Sequence, residues 1–402
     1  MAVNYTPVSD VLPIAGIRLA TQQAGIRYKN REDLLVMEIA EGSSVAGVFT
    51  QNLFCAAPVL LCREFLAKQT PRYVVVNSGN ANAGTGQQGL DNARKVCAGL
   101  AEITGVSAEQ VLPFSTGVIG QQLPVQPFLD TFPKALAALD EKNWFAAAKA
   151  IMTTDTLPKA ISKQLTIDGK LVTLTGIAKG AGMIEPNMAT MLSYIATDAK
   201  VEQSLLQSML KQSVGLSFNS ITVDGDTSTN DALLLMATGH SGALVNEANM
   251  GELQQALNDV CQFLAQAIIR DAEGATKFVT LQVESAPDME TARAIAFTVA
   301  RSPLVKTALF ASDPNWGRIV AAIGRSPIKR LAVEKLSLWL GDTQLLEGGQ
   351  PVDSYTEAKG QIEMDKEEIT IRIVLNDGDA STAVWTSDLS HDYVTINAEY
   401  RS

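Results

Sequence analysis

Thr190 stands at the head of an apolar segment (Met191, Leu192, Tyr194, Ile195), directly after a loop punctuated by Gly180, Gly182 and Pro186. A threonine hydroxyl is a weak nucleophile until a base sits beside it, and a chain-terminal threonine carries its own base in the α-amine. For Thr190 that arrangement requires the Ala189–Thr190 bond to break. The two glycines permit close backbone approach, and Pro186-Asn187 favours a turn where a strained Ala189–Thr190 peptide could be held for attack. The same pattern also fits a β-branched residue opening an ordinary strand. Acyl chemistry would further need donors for an oxyanion. Val111–Gly117 (VLPFSTG) reads as a short strand ending in a hydroxyl and an unhindered backbone N–H, suited to that task or to a simple turn.

Other chemistries find less support. The two histidines, His240 and His391, are far apart and read as turn or surface positions, and no Gly-x-Ser-x-Gly elbow accompanies them. Cys55, Cys62, Cys97 and Cys261 have unrelated spacings, which suits reduced, packed thiols rather than zinc ligands. Asp224, Asp226, Ser228 and Asn230 alternate as calcium ligands would, but Thr229 stands where a calcium loop needs glycine and Leu235 where it needs glutamate. Asn77–Gly86 follows a strand and precedes a helix without a phosphate-cradling glycine pattern, so a tight turn is its default reading. A net charge of −11, from 43 acidic and 32 basic residues without a basic cluster, speaks against nucleic acid. The amino terminus lacks the pattern of a secretory signal, and no apolar run approaches the roughly 20 residues of a membrane span. These features predict a cytoplasmic protein with no nucleic-acid or membrane partner.

The stretch Lys179–Ala199 (KGAGMIEPNMATMLSYIATDA) resembles the ornithine acetyltransferase family, also called the bifunctional glutamate N-acetyltransferases. In that family the Thr of an Ala-Thr-Met-Leu sequence cuts its own chain and then carries an acetyl group. The resemblance implies cleavage between Ala189 and Thr190, with Thr190 as nucleophile and as a substrate contact. Ser115–Gly120 (STGVIG) matches the family's oxyanion motif, which implies that Thr116 and Gly117 form the oxyanion hole. Thr153 in MTTDTLPK, Lys179, Glu273 in RDAEGATK, Asn397 and Ser402 match its substrate contacts. Lys179 would offer a point charge to a substrate carboxylate, and Glu273 would hold the ammonium of ornithine. Asn77–Gly86, Phe218–Asp231 and Ser312–Ile319 also look like the family but carry no role that can be read from them.

The reaction implied by the resemblance is an acetyl transfer from N2-acetylornithine to glutamate through acetyl-Thr190, in two half-reactions. Whether acetyl-CoA also serves as donor is left open. No metal and no organic cofactor is implied. The expected fold is α/β, with layered mixed sheets flanked by helices, N-terminal-nucleophile-like, and cleaved into two interdigitated chains. Those chains would be an alpha chain, 1–189, and a beta chain, 190–402, assembled as a heterotetramer of two of each. Two other readings stand beside it. One is a self-cleaving threonine amidase or aminopeptidase, in which water replaces the acceptor; the other is a non-enzymatic binding protein with an intact chain.

The elements that must position these residues are mixed α and β. A length of 402 residues allows two to three domain-sized units, and 46% hydrophobic residues allow a large core. Strands are expected at Arg72–Asn77, Phe278–Glu284, Ile369–Leu375 and Tyr393–Ala398. Ile161–Ile177 should form a hairpin about Asp168-Gly169, a favoured two-residue turn. Helical spacing marks Leu90–Ile103, Val125–Leu139, Val201–Val214 and Met250–Ile269, and a further helix over Glu141–Met152 capped by Asp140.

Overall fold

The computed structural model describes residues 2–27, 29–185 and 191–399, so Ala189, Thr190 and Ser402 lie outside the described residues. Two compact units result: Thr6–Asn219 with Thr227–Ile268, and Met1–Tyr5 with Ser220–Asp226 and Ile269–Ser402.

The first unit contains two main sheets. One has the order β1 (Ile17–Gln22), β2 (Leu34–Ile39), β4 (Tyr73–Asn80), β5 (Val111–Val118). The other has the order β3 (Ser44–Phe49), β11 (Ala232–Ala237), β8 (Leu192–Thr197), β7 (Lys170–Lys179), β6 (Lys159–Ile167). Short strands β9 (Lys200–Val201) and β12 (Leu244–Val245) form a separate pair.

The expected hairpin is present as β6 and β7, with Asp168 and Gly169 both at positive φ, as a type I′ turn demands. Leu192, Tyr194 and Ala196 of β8 and Leu234 and Met236 of β11 join one core with Val74, Val76, Leu112 and Phe114 of the first sheet. Phe114 meets Tyr194 edge to face at 5.4 Å. On the other face of the second sheet, Val260 and Leu264 close over Gly176, where an added Cβ would stand 3.0 Å from each. Those two belong to α6 (Gly251–Arg270). Strands β8 and β11 are both buried along their whole length, which explains why β11 reads as an unbroken apolar run instead of an alternating one.

The helices α1 (Ala57–Leu66) and α2 (Gly86–Thr104) add Leu61, Phe65, Val96 and Leu100 to the shared core, as do α3 (Gln126–Ala137) and α4 (Trp144–Ala150) with Phe128, Phe132 and Trp144. A fifth, α5 (Gln203–Gly215), closes the edge at β3. The Gln203 amide bonds both backbone groups of Val45 at 3.0 and 2.8 Å, and Gln207 does the same for Gly47 at 3.2 Å. An edge that would otherwise invite strand addition is thereby satisfied. In this second sheet β11 and β8, from beyond position 189, lie between β3 and β7, from before it. Separating residues 1–189 from 190–402 would therefore expose its core.

The second unit has a seven-stranded sheet among the described residues. Its order is β10 (Ile221–Thr222), β18 (Ala380–Ser387), β13 (Phe278–Ala286), β17 (Glu368–Val374), β14 (Ser337–Leu340), β15 (Thr343–Glu347), β16 (Gln350–Pro351). Val279, Leu281, Val283, Ile371 and Ile373 pack with Ile295 and Val299 of α7 (Met289–Ala300) and Ile319 and Ile323 of α9 (Trp316–Gly324). Between and beyond these lie α8 (Pro303–Phe310), α10 (Glu357–Met364) and α11 (His391–Ala398).

Two expectations are corrected. Tyr393–Ala398 is helical, not a strand: the Ser390 hydroxyl caps α11 by accepting from Tyr393 N at 3.3 Å, and Asp392 sits in its first turn. Its β-branched Val394 is exposed, so the alternation there marks no buried strand face. The helix expected over Glu141–Met152 spans only Trp144–Ala150. Asp140 is taken up in a backbone bridge to Leu19, with N and O each bonded at 3.0 Å, and cannot also start the helix.

Candidate active site

Strand β5 ends in Ser115-Thr116-Gly117, beside the end of β4. Gly117 has φ +133°, and a Cβ there would stand 2.6 Å from Asn80 N and overlap the Gly79 carbonyl carbon. Only glycine lets the two backbones approach so closely. The register shifts at the same point, between Gly79 and Asn80. Thr116 is buried, and its Oγ1 accepts a hydrogen bond from Lys179 Nζ at 3.1 Å. An ammonium has no lone pair to offer, so the Thr116 hydroxyl proton is left to donate elsewhere. A hydroxyl donor backed by a positive charge suits a developing oxyanion.

Lys179 closes β7, and the chain's next residue, Gly180, donates its N–H to Asp155 Oδ1 at 2.6 Å. Asp155 Oδ1 also takes Lys159 Nζ at 2.8 Å, and its Oδ2 takes the Thr153 N–H at 3.1 Å. Asp155 and Lys159 are both fully buried. Burial works to raise the Asp155 carboxyl, but Lys159, Lys179 and the Gly180 N–H outweigh it and hold the group well below the usual carboxylate range. The fixed anion thus ties Thr153 to the Lys179–Gly180 corner, which brings Thr116, Lys179 and Thr153 together.

Across β7, Lys179 pairs with Leu192 of β8. Thr190 precedes Leu192 by two residues in the chain. Ala189 and Thr190 themselves carry no structural description, and the expectation placed on them is unchanged.

Two of the three segments without a role in the sequence bind the Thr116 strand. Asn77 Nδ2 donates to Asn80 O at 2.8 Å, and Ser115 Oγ donates to Asn77 Oδ1 at 2.6 Å. Asn230 Nδ2 donates to Ala81 O at 2.6 Å and to Ser115 O at 2.9 Å. Asn77–Gly86 is not a tight turn from its first residue, because β4 continues through Asn80.

The second unit holds Glu273 and Asn397. Glu273 is buried, and its Oε2 accepts from Asn397 Nδ2 at 2.8 Å. The loop after α6 grips the terminal helix: Ser390 Oγ donates to Gly274 O at 2.6 Å, and a Cβ on Gly274 would stand 2.6 Å from Tyr393 N. The tail through Asn397 is thus tied to the Glu273 loop, while Ser402 lies outside the described residues. Reasoning from sequence missed Asp155 and Lys159, and singled out Asn230 only as a calcium ligand. Asp155 and Lys159 carried a signal, an acid and a base four apart, but such a pair is usually solvated.

Comparison with known proteins places the whole chain in one family. The ArgJ family matches residues 18–402. The chain is 53% identical over 408 residues to the arginine biosynthesis bifunctional protein ArgJ of Pseudomonas fluorescens (strain Pf0-1), with 100% of each covered. Its counterpart of the same name from Methylococcus capsulatus (strain ATCC 33009 / NCIMB 11132 / Bath) is 54% identical over 400 residues, with 98% of each covered. A crystal structure of the arginine biosynthesis bifunctional protein argJ from Bacillus halodurans superposes with a TM-score of 0.50 at 36% identity, covering 52% of this chain and 99% of that one.

Proposed function

This chain belongs to the ArgJ family, and from that premise we propose that it is a self-processing acetyltransferase of arginine biosynthesis. The observation that carries the reading is the Lys179–Thr116 hydrogen bond beside Gly117, at the end of the strand that pairs with Leu192. It supports an oxyanion hole next to the chain segment that begins at Thr190.

In the processing step the Thr190 hydroxyl attacks the Ala189 carbonyl, and the Ala189–Thr190 C–N bond breaks as an ester forms. Water then cleaves the ester, leaving a carboxylate on Ala189 and a free α-amine and hydroxyl on Thr190. With a reference pKa of about 7.7–8.0, that amine is suited to act as base near neutral pH. It takes the hydroxyl proton while Oγ1 attacks the acetyl carbonyl of N2-acetylornithine. Thr116 and the Gly117 N–H stabilise the oxyanion. The departing ornithine amine takes the proton, leaving acetyl-Thr190. The amine of glutamate then attacks this ester, and the Thr190 oxygen recovers its proton. Lys179, Thr153, Glu273, Asn397 and Ser402 serve as substrate contacts, and acetyl-CoA as a second donor is in keeping with the relatives' bifunctional name. The working form is a cytoplasmic assembly of two alpha chains, 1–189, and two beta chains, 190–402.

Intact mass of the wild-type protein beside Thr190→Ala tests the reading. Two wild-type species, one ending at Ala189 and one beginning at Thr190, with an uncut variant, are expected. A folded wild-type chain that stays whole would remove the α-amine base and the mechanism with it. Turnover that needs glutamate separates acetyl transfer from an amidase, which would turn over with water alone.

A further inference from the structure

We propose that the dipeptide Asn230-Asp231 is a positioning element that sets the spacing between the oxyanion strand and the nucleophile. Each residue holds one side. The Asn230 amide donates to Ser115 O at 2.9 Å and Ala81 O at 2.6 Å, while its Oδ1 accepts from Thr229 Oγ1 at 2.6 Å. With both ends engaged the side chain cannot rotate without breaking three bonds. The Ser115 carbonyl and the Thr116 N–H share one rigid peptide plane, so holding the first orients the second.

The Asp231 carboxyl accepts from the Met191 backbone N–H and from Ser228. That N–H shares its peptide plane with the carbonyl of Thr190. The Met191 carbonyl in turn accepts from Ala232 N at 2.9 Å. Both backbone groups of Met191 are therefore held by two consecutive residues at the head of β11. Neighbouring Cα atoms are about 3.8 Å apart, so the two grips form a short, stiff ruler.

Both side chains are buried, and Asp231 Oδ2 has no hydrogen-bond partner among the described residues. An orphaned buried oxygen is rare and often accompanies chemistry. Burial pushes the Asp231 carboxyl well above the usual carboxylate range, although Ser228, Lys179 and the Met191 N–H pull the other way. Asparagine is consequently a near mimic of its neutral form, whereas glutamate keeps the acid but lengthens the ruler by one methylene.

This inference rests on Thr190 being the nucleophile. The test compares full-length wild type, Thr190→Ala, N230A, D231A, D231N, D231E and N230A/D231A. Self-cleavage is followed by intact mass, and kcat and KM by acetyl transfer from N2-acetylornithine to glutamate. A misplacement near 1 Å costs roughly a hundredfold, so N230A, D231A and D231E should lose about ten- to a hundredfold in kcat, with KM changed by less than about threefold. D231N should lose only about three- to tenfold. Because both grips control one distance, the double variant should be no worse than the worse single by more than about threefold.

Losses confined to KM, equal kcat for D231N and D231E, or multiplicative losses in the double variant would overturn the proposal. If the alanine variants do not fold, the D231N and D231E comparison decides alone. A wild type that neither cleaves nor transfers acetyl defeats the reading of Thr190. A wild type that does both, with variants that match it, defeats only the ruler.

Discussion

Replacing Lys159 by methionine keeps most of the side-chain volume and removes the charge that offsets Asp155. Both residues are fully buried and bonded at 2.8 Å. Breaking such a pair by removing one partner typically costs about 3–5 kcal/mol. An independent bound comes from letting Asp155 take a proton instead. Against a reference pKa of about 3.9 and 1.36 kcal/mol per unit, neutralising it at pH 7 costs roughly 4 kcal/mol. The Leu157 carbonyl also loses a donor, 3.1 Å away, which adds about 1 kcal/mol.

The dependence on pH has opposite sign in the two proteins. In the wild type the Asp155 pKa is depressed, so its stabilisation is present above about pH 4 and is lost as pH falls further. In Lys159→Met the buried acid is raised, so the penalty is largest at high pH and fades toward its unfolded value. The neutralisation bound falls to roughly 1.5 kcal/mol at pH 5. Urea titrations followed by circular dichroism at pH 7 and pH 5, in the Thr190→Ala background to keep one chain, measure this directly. The destabilisation should shrink by at least half on acidification, and adding Asp155→Asn should recover at least half of it at pH 7. A Lys159→Met variant within about 1 kcal/mol of its parent at pH 7 would refute the account of Asp155 as a compensated buried anion.

Gly117→Ala should cost more than about 3 kcal/mol, because its Cβ meets backbone rather than a movable side chain. Gly105→Ala, also at positive φ but facing open space, should cost only about 1–2 kcal/mol; equal denaturation midpoints for the two would discount the close approach. Thr116→Val, nearly isosteric, should cost about 1–3 kcal/mol for the lost Lys179 bond, leave the protein folded, and lower kcat by about 10²–10³, as loss of one oxyanion donor does. Steady-state kinetics on the folded variant check it, and a change confined to KM would reassign Thr116 to ground-state binding.

Much of the local structure was legible because its causes are local. Asp168-Gly169 supplies the two positive φ values of a hairpin turn, and the turn is there whatever packs around it. The spacing in Met250–Ile269 marks a helix whose apolar face needs only some partner, and α6 runs Gly251–Arg270. Tyr393–Ala398 misled for the converse reason. Its alternation is a weak preference, and a capping serine with a docking loop at Gly274 overrode it.

By itself the sequence suggested the kind of chemistry at issue, and the family resemblance carried most of that suggestion. A threonine behind a glycine-punctuated loop, a Ser-Thr-Gly strand end and the scarcity of histidines are properties of residue type and order. The tertiary structure decided which of these residues act on one another. Lys179 meets Thr116 only because β7 and β5 end at the same corner, 63 residues apart in the chain. The need for glycine at 117 comes from Gly79 and Asn80 on another strand, and Asn230 reaches Ser115 across 115 positions. Asp155 and Lys159 change from an ordinary exposed-looking pair to a buried anchor only once the fold removes water from around them. Periodicity and turn chemistry are written within a few residues, whereas burial and the charges it strengthens belong to the folded molecule as a whole.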